Sequence, residues 1–226
     1  MIDKVVDIHR ALAPIKDGMT IMVGGSMALG APEILIDALV EKNVCDLTII
    51  CNDGGVPGKG VSKLIANGQV KKLIATHVGL NPEVTRRVNI EDEAEKMECL
   101  LVPQGTFAER IRAAGAGLGG ILTPTGVGTL VAKGKRVIEV EGREYLLEEP
   151  LYADVALIRA SIADHYGNIV YKGTTRNQNP CMATAADYVV TAACQVVETG
   201  MLSPEDIGTP GIFINAVVGG EKEWQI

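Results

Sequence analysis

The sequence predicts an α/β fold in which an open, mostly parallel sheet carries helices on both faces. Along the 226-residue chain, short apolar runs rich in β-branched residues alternate with segments whose apolar residues recur at helical spacing. Glycine pairs and polar residues follow several of the apolar runs, as at turns between a parallel strand and its crossover helix. We therefore expect residues 1–226 to form a single domain of this class.

The first strand and its helix have the clearest boundaries. Residues 20–23 are apolar and β-forming, Gly24 and Gly25 break the run, and Pro32 suits the first turn of a helix. The first half of the chain then predicts, in order, a helix over 5–13, a strand over 20–23, a helix over 32–42, a strand over 47–51, a helix over 63–67, a strand over 72–76, a solvated acidic turn over 90–97, a strand over 98–102 and a helix over 107–114.

The second half of the chain predicts a small lobe beside the sheet. Glycines are too dense for regular structure at 115–120 and 126–128, and residues 136–147 alternate as a β-hairpin does. We expect the region 115–135 and this hairpin to form a glycine-rich lobe on one sheet edge. Further strands are expected over 155–158, 188–190 and 212–218, and Trp224 either anchors the tail or is exposed.

Composition excludes several classes of function. The net charge is −7 with no basic run, so nucleic-acid binding is disfavoured. No apolar run approaches the roughly 20 residues that span a membrane. The histidines His9, His77 and His165 are not spaced as metal ligands, so no metal site is expected. Neither disulfide nor zinc spacing occurs among the cysteines, which predicts free thiols in the cytoplasm: Cys45, Cys51, Cys99, Cys181 and Cys194.

Three predicted strands end at a motif suited to a ligand site. These motifs begin at Gly24, Asn52 and Gln104. Because open α/β sheets bind ligands at the carboxyl ends of their strands, we expect one pocket there. The glycines allow close approach of a ligand, and the N–H groups at the helix start favour an anion. A tight turn without a ligand is the alternative, since neither dinucleotide nor P-loop spacing is present.

The polar side chains of these motifs suit stabilisation of a carbonyl oxygen. The amides of Gln104 and Asn52 can donate to an oxygen that gains negative charge, or they can cap nearby backbone. Asp53 is better explained as a turn former before Gly54. No carboxylate is a convincing nucleophile, because the settings of the available glutamates are typical of helix first turns or faces: Glu33, Glu83 and Glu109.

The stretch that begins at Asp17-Gly18 and ends at Pro32 resembles the first signature of family I coenzyme A transferases, alpha subunit. Every fixed position matches except Ser26, where the family has phenylalanine. The resemblance continues in the family's order through residues 51–55, 102–106, 115–120, 123–129 and 172–180. Among subfamilies it is greatest to alpha subunits that act on acetate, butyrate and acetoacetate.

The resemblance implies a function and explains the missing nucleophile. In this family a glutamate of the beta subunit attacks an acyl-CoA, and coenzyme A passes through a glutamyl–CoA thioester to a second acid. Gln104 and Asn52 would position the thioester, with coenzyme A as a substrate and no permanently bound cofactor. The partner implied is a beta subunit of similar size, in an α2β2 or larger assembly. The loop residues implied in coenzyme A binding are Gly24, Gly25, Ser26, Met27, Ala28, Leu29 and Gly30.

Two departures from the family pattern bear on the substrate. Ser26 and Gln178 stand where the family usually has phenylalanine, which suggests a more polar acyl pocket that fits a hydroxy, amino or keto substituent. The alternative function is a metabolite-sensing or sugar-phosphate-binding α/β domain without transfer of coenzyme A. A sugar-phosphate isomerase would need its own pair of acid and base carboxylates, for which the sequence offers no convincing pair.

Overall fold

The computed structural model describes residues 2–92 and 95–223, so Trp224 and part of the acidic stretch lie outside the described residues. Its elements are α1 (Ile8–Leu12), β1 (Thr20–Val23), α2 (Glu33–Lys42), β2 (Leu47–Cys51), α3 (Ser62–Ala66), β3 (Val70–Ala75), α4 (Pro82–Asn89), β4 (Glu98–Leu101), α5 (Gln104–Gly115), β5 (Ile121–Thr123), β6 (Val137–Val140), β7 (Arg143–Glu148), β8 (Ala153–Asp164), β9 (Ile169–Val170), α6 (Asn179–Met182), β10 (Ala186–Val197) and β11 (Ala216–Gly219).

The main sheet is open and mostly parallel, which confirms the predicted fold class. Its strand order is β11-β10-β8-β1-β2-β3-β4, and short β9 pairs antiparallel with β8. Successive strands run outward from β1 in one direction and from β8 in the other. The order therefore reverses between β1 and β8, and such a switch point is where open α/β sheets bind ligands.

Side chains of the strands alternate between two buried cores, one on each face of the sheet. On β1, Ile21 packs into the core that contains Leu35 of α2, whereas Met22 packs into the core that contains Phe107 of α5 and Met182 of α6. Helices therefore cover both faces, as predicted. None of the helices in the described part of the chain is long and apolar enough to cross a bilayer.

Strands β8 and β10 are each 12 residues long, much longer than the sequence predicts. Most of β8 is buried on both faces, so it lacks the polar alternation that marks a half-buried strand. Polar residues also interrupt its apolar pattern, among them buried Arg159 and Asp164. The last strand begins later than predicted, because residues Gly211–Phe213 form a 3₁₀ turn before β11.

The predicted lobe is a three-stranded antiparallel sheet of order β5-β7-β6. The hairpin turn has positive φ at both Glu141 and Gly142, at 51° and 75°, as a type I′ turn requires. The lobe packs on α5, where Arg110 Nε donates to the Glu149 carbonyl at 2.6 Å. This contact places the lobe beside the helix that begins at Gln104.

Phe107 is expected to be a major source of stability behind the strand ends. It is fully buried between α5 and the sheet, so Phe107→Ala should lower the free energy of unfolding by about 3–5 kcal/mol. Phe213, the chain's other phenylalanine, is 40% exposed and serves as the matched control. Its alanine variant should lose no more than about 1.5 kcal/mol in urea denaturation. Equal losses would contradict the assignment of this core.

Candidate active site at the carboxyl edge of the sheet

The three predicted motifs meet at the carboxyl ends of β1, β2 and β4 in one hydrogen-bonded chain. Gln104 Nε2 donates to Asn52 Oδ1 at 2.8 Å. Asn52 Nδ2 in turn donates to Ser26 Oγ at 3.0 Å and to Asp53 Oδ2 at 3.0 Å. Asn52 and Asp53 are buried, whereas Gln104 is exposed. The convergence expected from parallel strand ends is therefore present, and its outer end faces solvent.

The contacts of Asp53 set the orientation of both amides. Its carboxylate accepts from the backbone N–H groups of Met27 at 2.7 Å and Gly55 at 2.9 Å, as well as from Asn52. Since Asn52 must present its NH₂ group to the carboxylate, its oxygen must face Gln104. Gln104 must then present its own NH₂ group, of which one N–H remains free of Asn52.

Thr76 is a member of this network that the sequence analysis missed. It follows β3 directly, and its Oγ1 lies 2.9 Å from Gln104 Oε1 and 2.7 Å from the Asn52 carbonyl. The hydroxyl has one hydrogen to share between these acceptors, so it links the backbone of β2 to the exposed amide. The signal that pointed to Asn52 also applied here, since Thr76 ends the next parallel strand.

Asp53 acts as the predicted turn former and also connects two loops. Its bond to the Gly55 N–H closes the turn after β2, as expected. Its bond to the Met27 N–H reaches across to the loop after β1. The carboxylate therefore fixes the position of that loop relative to Asn52.

The glycine loop, residues 24–30, contains a turn that the sequence did not predict. Ser26 and Leu29 exchange backbone hydrogen bonds of 2.9 and 2.8 Å around Met27 and Ala28. Both central residues have left-handed φ, at 50° and 66°, which costs about 1–2 kcal/mol for each non-glycine residue. Met27 is 48% exposed at the tip of this turn. The strained tip is the part of the loop that faces outward.

Two glycines of the loop are required by contacts within the protein, a reason for glycine that the sequence did not predict. A Cβ on Gly24 would lie 1.7 Å from Asn179 Oδ1. Gly25 has φ +112°, and a Cβ there would lie 2.9 Å from the Ala31 nitrogen. The space beside both glycines is thus occupied by the protein itself.

The start of α2 likewise binds an anion that the chain supplies. The Ile34 N–H donates to Glu221 Oε2 at 3.2 Å, in the segment after β11. Burial raises the pKa of this carboxyl group, and its bond to the helix N–H acts in the opposite direction. The expectation of an external anion at this helix start is therefore not supported at the Ile34 N–H.

A second glycine loop with the same spacing follows β2. Gly54, Gly55 and Gly60 repeat the spacing of Gly24, Gly25 and Gly30, and Val56 pairs with Lys59 as Ser26 pairs with Leu29. The sequence therefore contains a G-G-x₄-G repeat that was not predicted. The Gly60 N–H donates to Glu33 Oε1 at 2.7 Å, so the second loop is tied to α2 behind the first.

The three glutamates that the sequence analysis set aside as nucleophiles lie on helices and are ion-paired. The pairs are Glu33 with Lys63 at 2.6 Å, Glu83 with Arg86 at 2.6 Å and Glu109 with Arg112 at 3.1 Å. Hydrogen bonding by Arg86 lowers the pKa of the Glu83 carboxyl. These carboxylates have structural partners and are not part of the Gln104–Asn52–Ser26 chain.

The sequence is similar to a known protein family and to characterised relatives over nearly its whole length. The sequence profile of the family described as "Coenzyme A transferase" matches residues 5–220. The chain is 52% identical over 219 residues to the acetoacetyl-CoA:acetate/butyrate CoA transferase alpha subunit of Clostridium acetobutylicum, covering 96% of this chain and 98% of that protein. It is 49% identical over 219 residues to the acetate CoA-transferase subunit alpha of Escherichia coli K12, covering 97% and 98%.

Solved structures show the same fold. An acyl-CoA transferase from E. coli O157:H7, in a thioester complex with CoA, superposes with a TM-score of 0.86 at 25% identity. That match covers 99% of this chain and 48% of the solved chain, so this chain spans about half of that longer protein. Glutaconate coenzyme A-transferase from Acidaminococcus fermentans superposes with a TM-score of 0.80 at 21% identity, over 95% of this chain and 75% of that one.

Proposed function

This chain belongs to the coenzyme A transferase family as a CoA-transferase alpha subunit, and we propose that its enzyme exchanges coenzyme A between a short-chain acyl-CoA and a carboxylic acid. The acyl groups proposed are acetyl, butyryl and acetoacetyl, in line with the names of its relatives. The observation that supports the proposal most directly is the Gln104–Asn52–Ser26 hydrogen-bonded chain at the carboxyl ends of β1, β2 and β4, which ends in an exposed N–H donor.

Gln104 and Asn52 are proposed to position the thioester. During attack on the thioester, its carbonyl oxygen gains negative charge, and a fixed amide N–H stabilises that charge. Asn52 and Thr76 hold the Gln104 amide from both sides, so its remaining N–H has a defined direction. Asn52 acts on the substrate through Gln104 and through the hydroxyl of Ser26.

The glycine loop is proposed to bind coenzyme A. Among the residues that the structure describes, the backbone N–H groups of Gly25, Ala28 and Gly30 donate to no acceptor. Unpaired N–H groups in buried backbone are rare, so three in one loop support a bound acceptor there. No permanently bound cofactor is needed for this chemistry, because coenzyme A is itself a substrate.

The nucleophile is proposed to be a glutamate of a beta subunit. Its carboxylate would attack the acyl-CoA to form an acyl anhydride and release the coenzyme A thiolate. The thiolate would then attack the glutamyl carbonyl of the anhydride, giving the glutamyl–CoA thioester and the free acid. A second acid reverses both steps and leaves as a new acyl-CoA. Relatives are named as alpha subunits, and we propose an α2β2 or larger cytoplasmic assembly in which residues 1–226 act as one domain.

The proposal is tested by a transfer assay of this chain with and without its candidate beta subunit. Acetyl-CoA is the donor, and the acceptors include acetoacetate and butyrate. Turnover that requires both chains supports the proposal. Turnover by this chain alone would show that it carries its own nucleophile, and CoA binding without turnover in either case would favour a metabolite-sensing domain.

Ser26 and Gln178 are expected to bias the enzyme toward acids with a polar substituent. The Ser26 hydroxyl accepts a hydrogen bond from the Asn52 amide, so phenylalanine at position 26 removes that acceptor and adds apolar surface. In a Ser26→Phe/Gln178→Phe variant, kcat/KM for butyrate relative to 3-hydroxybutyrate should rise about tenfold, the equivalent of one hydrogen bond. Ser26→Ala, which removes the same hydroxyl without adding an aromatic ring, is the control for repacking. An unchanged acid profile would refute the polar pocket.

A further inference from the structure

The crossover between β9 and β10 lies against the buried side of the glycine loop. Asn179, the first residue of α6, is 0% exposed. Its Nδ2 donates to the Gly30 carbonyl at 3.0 Å and to the Thr175 carbonyl at 2.8 Å. Its Oδ1 accepts from the Arg159 N–H of β8 at 3.0 Å. One buried amide therefore ties the loop to the crossover and to a central strand.

Asn177 makes a second contact with the same loop. Its Nδ2 donates to the Leu29 carbonyl at 2.8 Å, and its Oδ1 accepts from the Gln178 N–H at 2.6 Å. The two asparagines thus bind consecutive carbonyl groups, Leu29 and Gly30, at the point where the loop leaves its strained turn. Neither residue was predicted from the sequence to belong to the site.

The loop glycines and the asparagines are complementary in shape. A Cβ on Gly24 would lie 1.7 Å from Asn179 Oδ1 and 2.6 Å from its Cγ. A Cβ on Gly30 would lie 3.0 Å from Asn177 Nδ2, and Gly30 also has φ +74°. The side chains of the crossover therefore fill the space that the two glycines leave open.

A strained turn persists only where its surroundings fix it. Asp53 holds the Met27 N–H from one side of the loop. Asn177 and Asn179 hold the carbonyls of Leu29 and Gly30 from the other. These contacts together account for the left-handed backbone at Met27 and Ala28, which no glycine relieves.

We propose that Asn177 and Asn179 are positioning residues that hold the glycine loop in the conformation required for coenzyme A transfer. Neither acts on the substrate directly; each acts through the backbone of the loop. This inference rests on the proposed function, because it assigns the loop a role in turnover. The contact itself is tested by a measurement that does not depend on activity.

The experiment compares Asn179→Ala and Asn177→Ala with Asn67→Ala as the control. Asn67 is an exposed asparagine at the end of α3, and its amide donates to Asn43 Oδ1 at 3.1 Å and Gln69 Oε1 at 3.0 Å, neither of which belongs to the glycine loop. Hydrogen exchange is followed at residues 24–31, and kcat and KM are measured with the beta subunit at a temperature where every variant is folded. Backbone amides of the loop should exchange about tenfold faster in Asn179→Ala and Asn177→Ala, since each variant loses at least one hydrogen bond to a loop carbonyl.

Turnover should fall with the loosened loop. We expect kcat to drop about 100-fold, as for a misplacement of about 1 Å in a site, while KM for the acid changes little. A purely structural role would lower the melting temperature without changing kcat of the folded enzyme. Asn177 is only half-buried, so Asn177→Ala keeps the test valid if Asn179→Ala does not fold.

The results distinguish the contact with the loop, the positioning role and the proposed function. Unchanged exchange at residues 24–31 in Asn177→Ala and Asn179→Ala would show that these two asparagines do not hold the glycine loop. Faster exchange with unchanged kcat would overturn the positioning role but leave the proposed function intact. Absence of turnover in the unmodified enzyme with its partner would overturn the proposed function and the positioning role together, while exchange would still decide the contact.

A double variant tests the complementarity between Gly24 and Asn179. Gly24→Ala alone places a methyl group where Asn179 Oδ1 lies, so the melting temperature should fall sharply. Adding Asn179→Ala removes that oxygen, so the double variant should melt at a higher temperature than Gly24→Ala alone. A double variant that melts at the same or a lower temperature would overturn the proposed complementarity.

Discussion

Gln104→Ala is expected to lower kcat of the assembled transferase by about 100- to 1,000-fold, the usual cost of one donor to a developing oxyanion. Gln104 is exposed, and its amide is held by Asn52 and Thr76 rather than by the core. The variant should therefore fold and assemble as the unmodified chain does. Steady-state kinetics and size-exclusion chromatography with the beta subunit measure both properties.

Gln104→Glu tests whether the N–H donor itself matters, and Gln195→Ala serves as its control. Gln104→Glu keeps the shape but replaces the NH₂ group with an oxygen, so Asn52 Oδ1 loses its donor and kcat should fall at least as far. Gln195→Ala removes an exposed glutamine on β10 and should leave kcat unchanged. Activity of Gln104→Ala within a few-fold of the unmodified enzyme would remove this residue from the proposed mechanism.

The elements that flank the site were the easiest to predict from the sequence. Strands β1 and β2 have the predicted boundaries, because each is an apolar run that ends abruptly at glycine or asparagine. Helix α4 was missed, although Asn81 and Pro82 mark its start, because most of its residues are polar. Thr76 was predicted only as the last residue of a strand, although its place at a strand end matched that of Asn52, and the structure adds that its hydroxyl lies 2.9 Å from Gln104 Oε1.

Long-range contacts explain what local patterns could not show. Met27 and Ala28 carry no turn signal, since type I′ turns are normally marked by glycine or asparagine, and their conformation is imposed by contacts from distant segments. Asn179 lies 149 positions from Gly30 in the sequence, so no local pattern links the two residues. The purpose of Gly24 becomes clear only when Asn179 is in place beside it.

Asp53→Asn is expected to lower both stability and turnover, although it only replaces one carboxylate oxygen with an NH₂ group. In the unmodified chain one carboxylate oxygen accepts from Gly55, and the other accepts from Met27 and Asn52. An asparagine must place its NH₂ group against at least one of these N–H donors. The less costly orientation faces Gly55, and it leaves two donors repelling each other in a buried site.

We expect this variant to lose about 1–3 kcal/mol in the free energy of unfolding, the cost of an unsatisfied buried donor. Turnover should fall as well, because repulsion from the Gly55 N–H displaces the side chain that orients Asn52 and holds the Met27 N–H. Asp46→Asn is the matched control: Asp46 is exposed, pairs with Lys71 only at 3.8 Å and has φ 56°, which asparagine tolerates. Its stability should change by no more than about 0.5 kcal/mol in urea denaturation. If Asp53→Asn proved as mild as this control in both stability and kcat, the orientation of Asn52 and Gln104 would have to depend on groups other than Asp53.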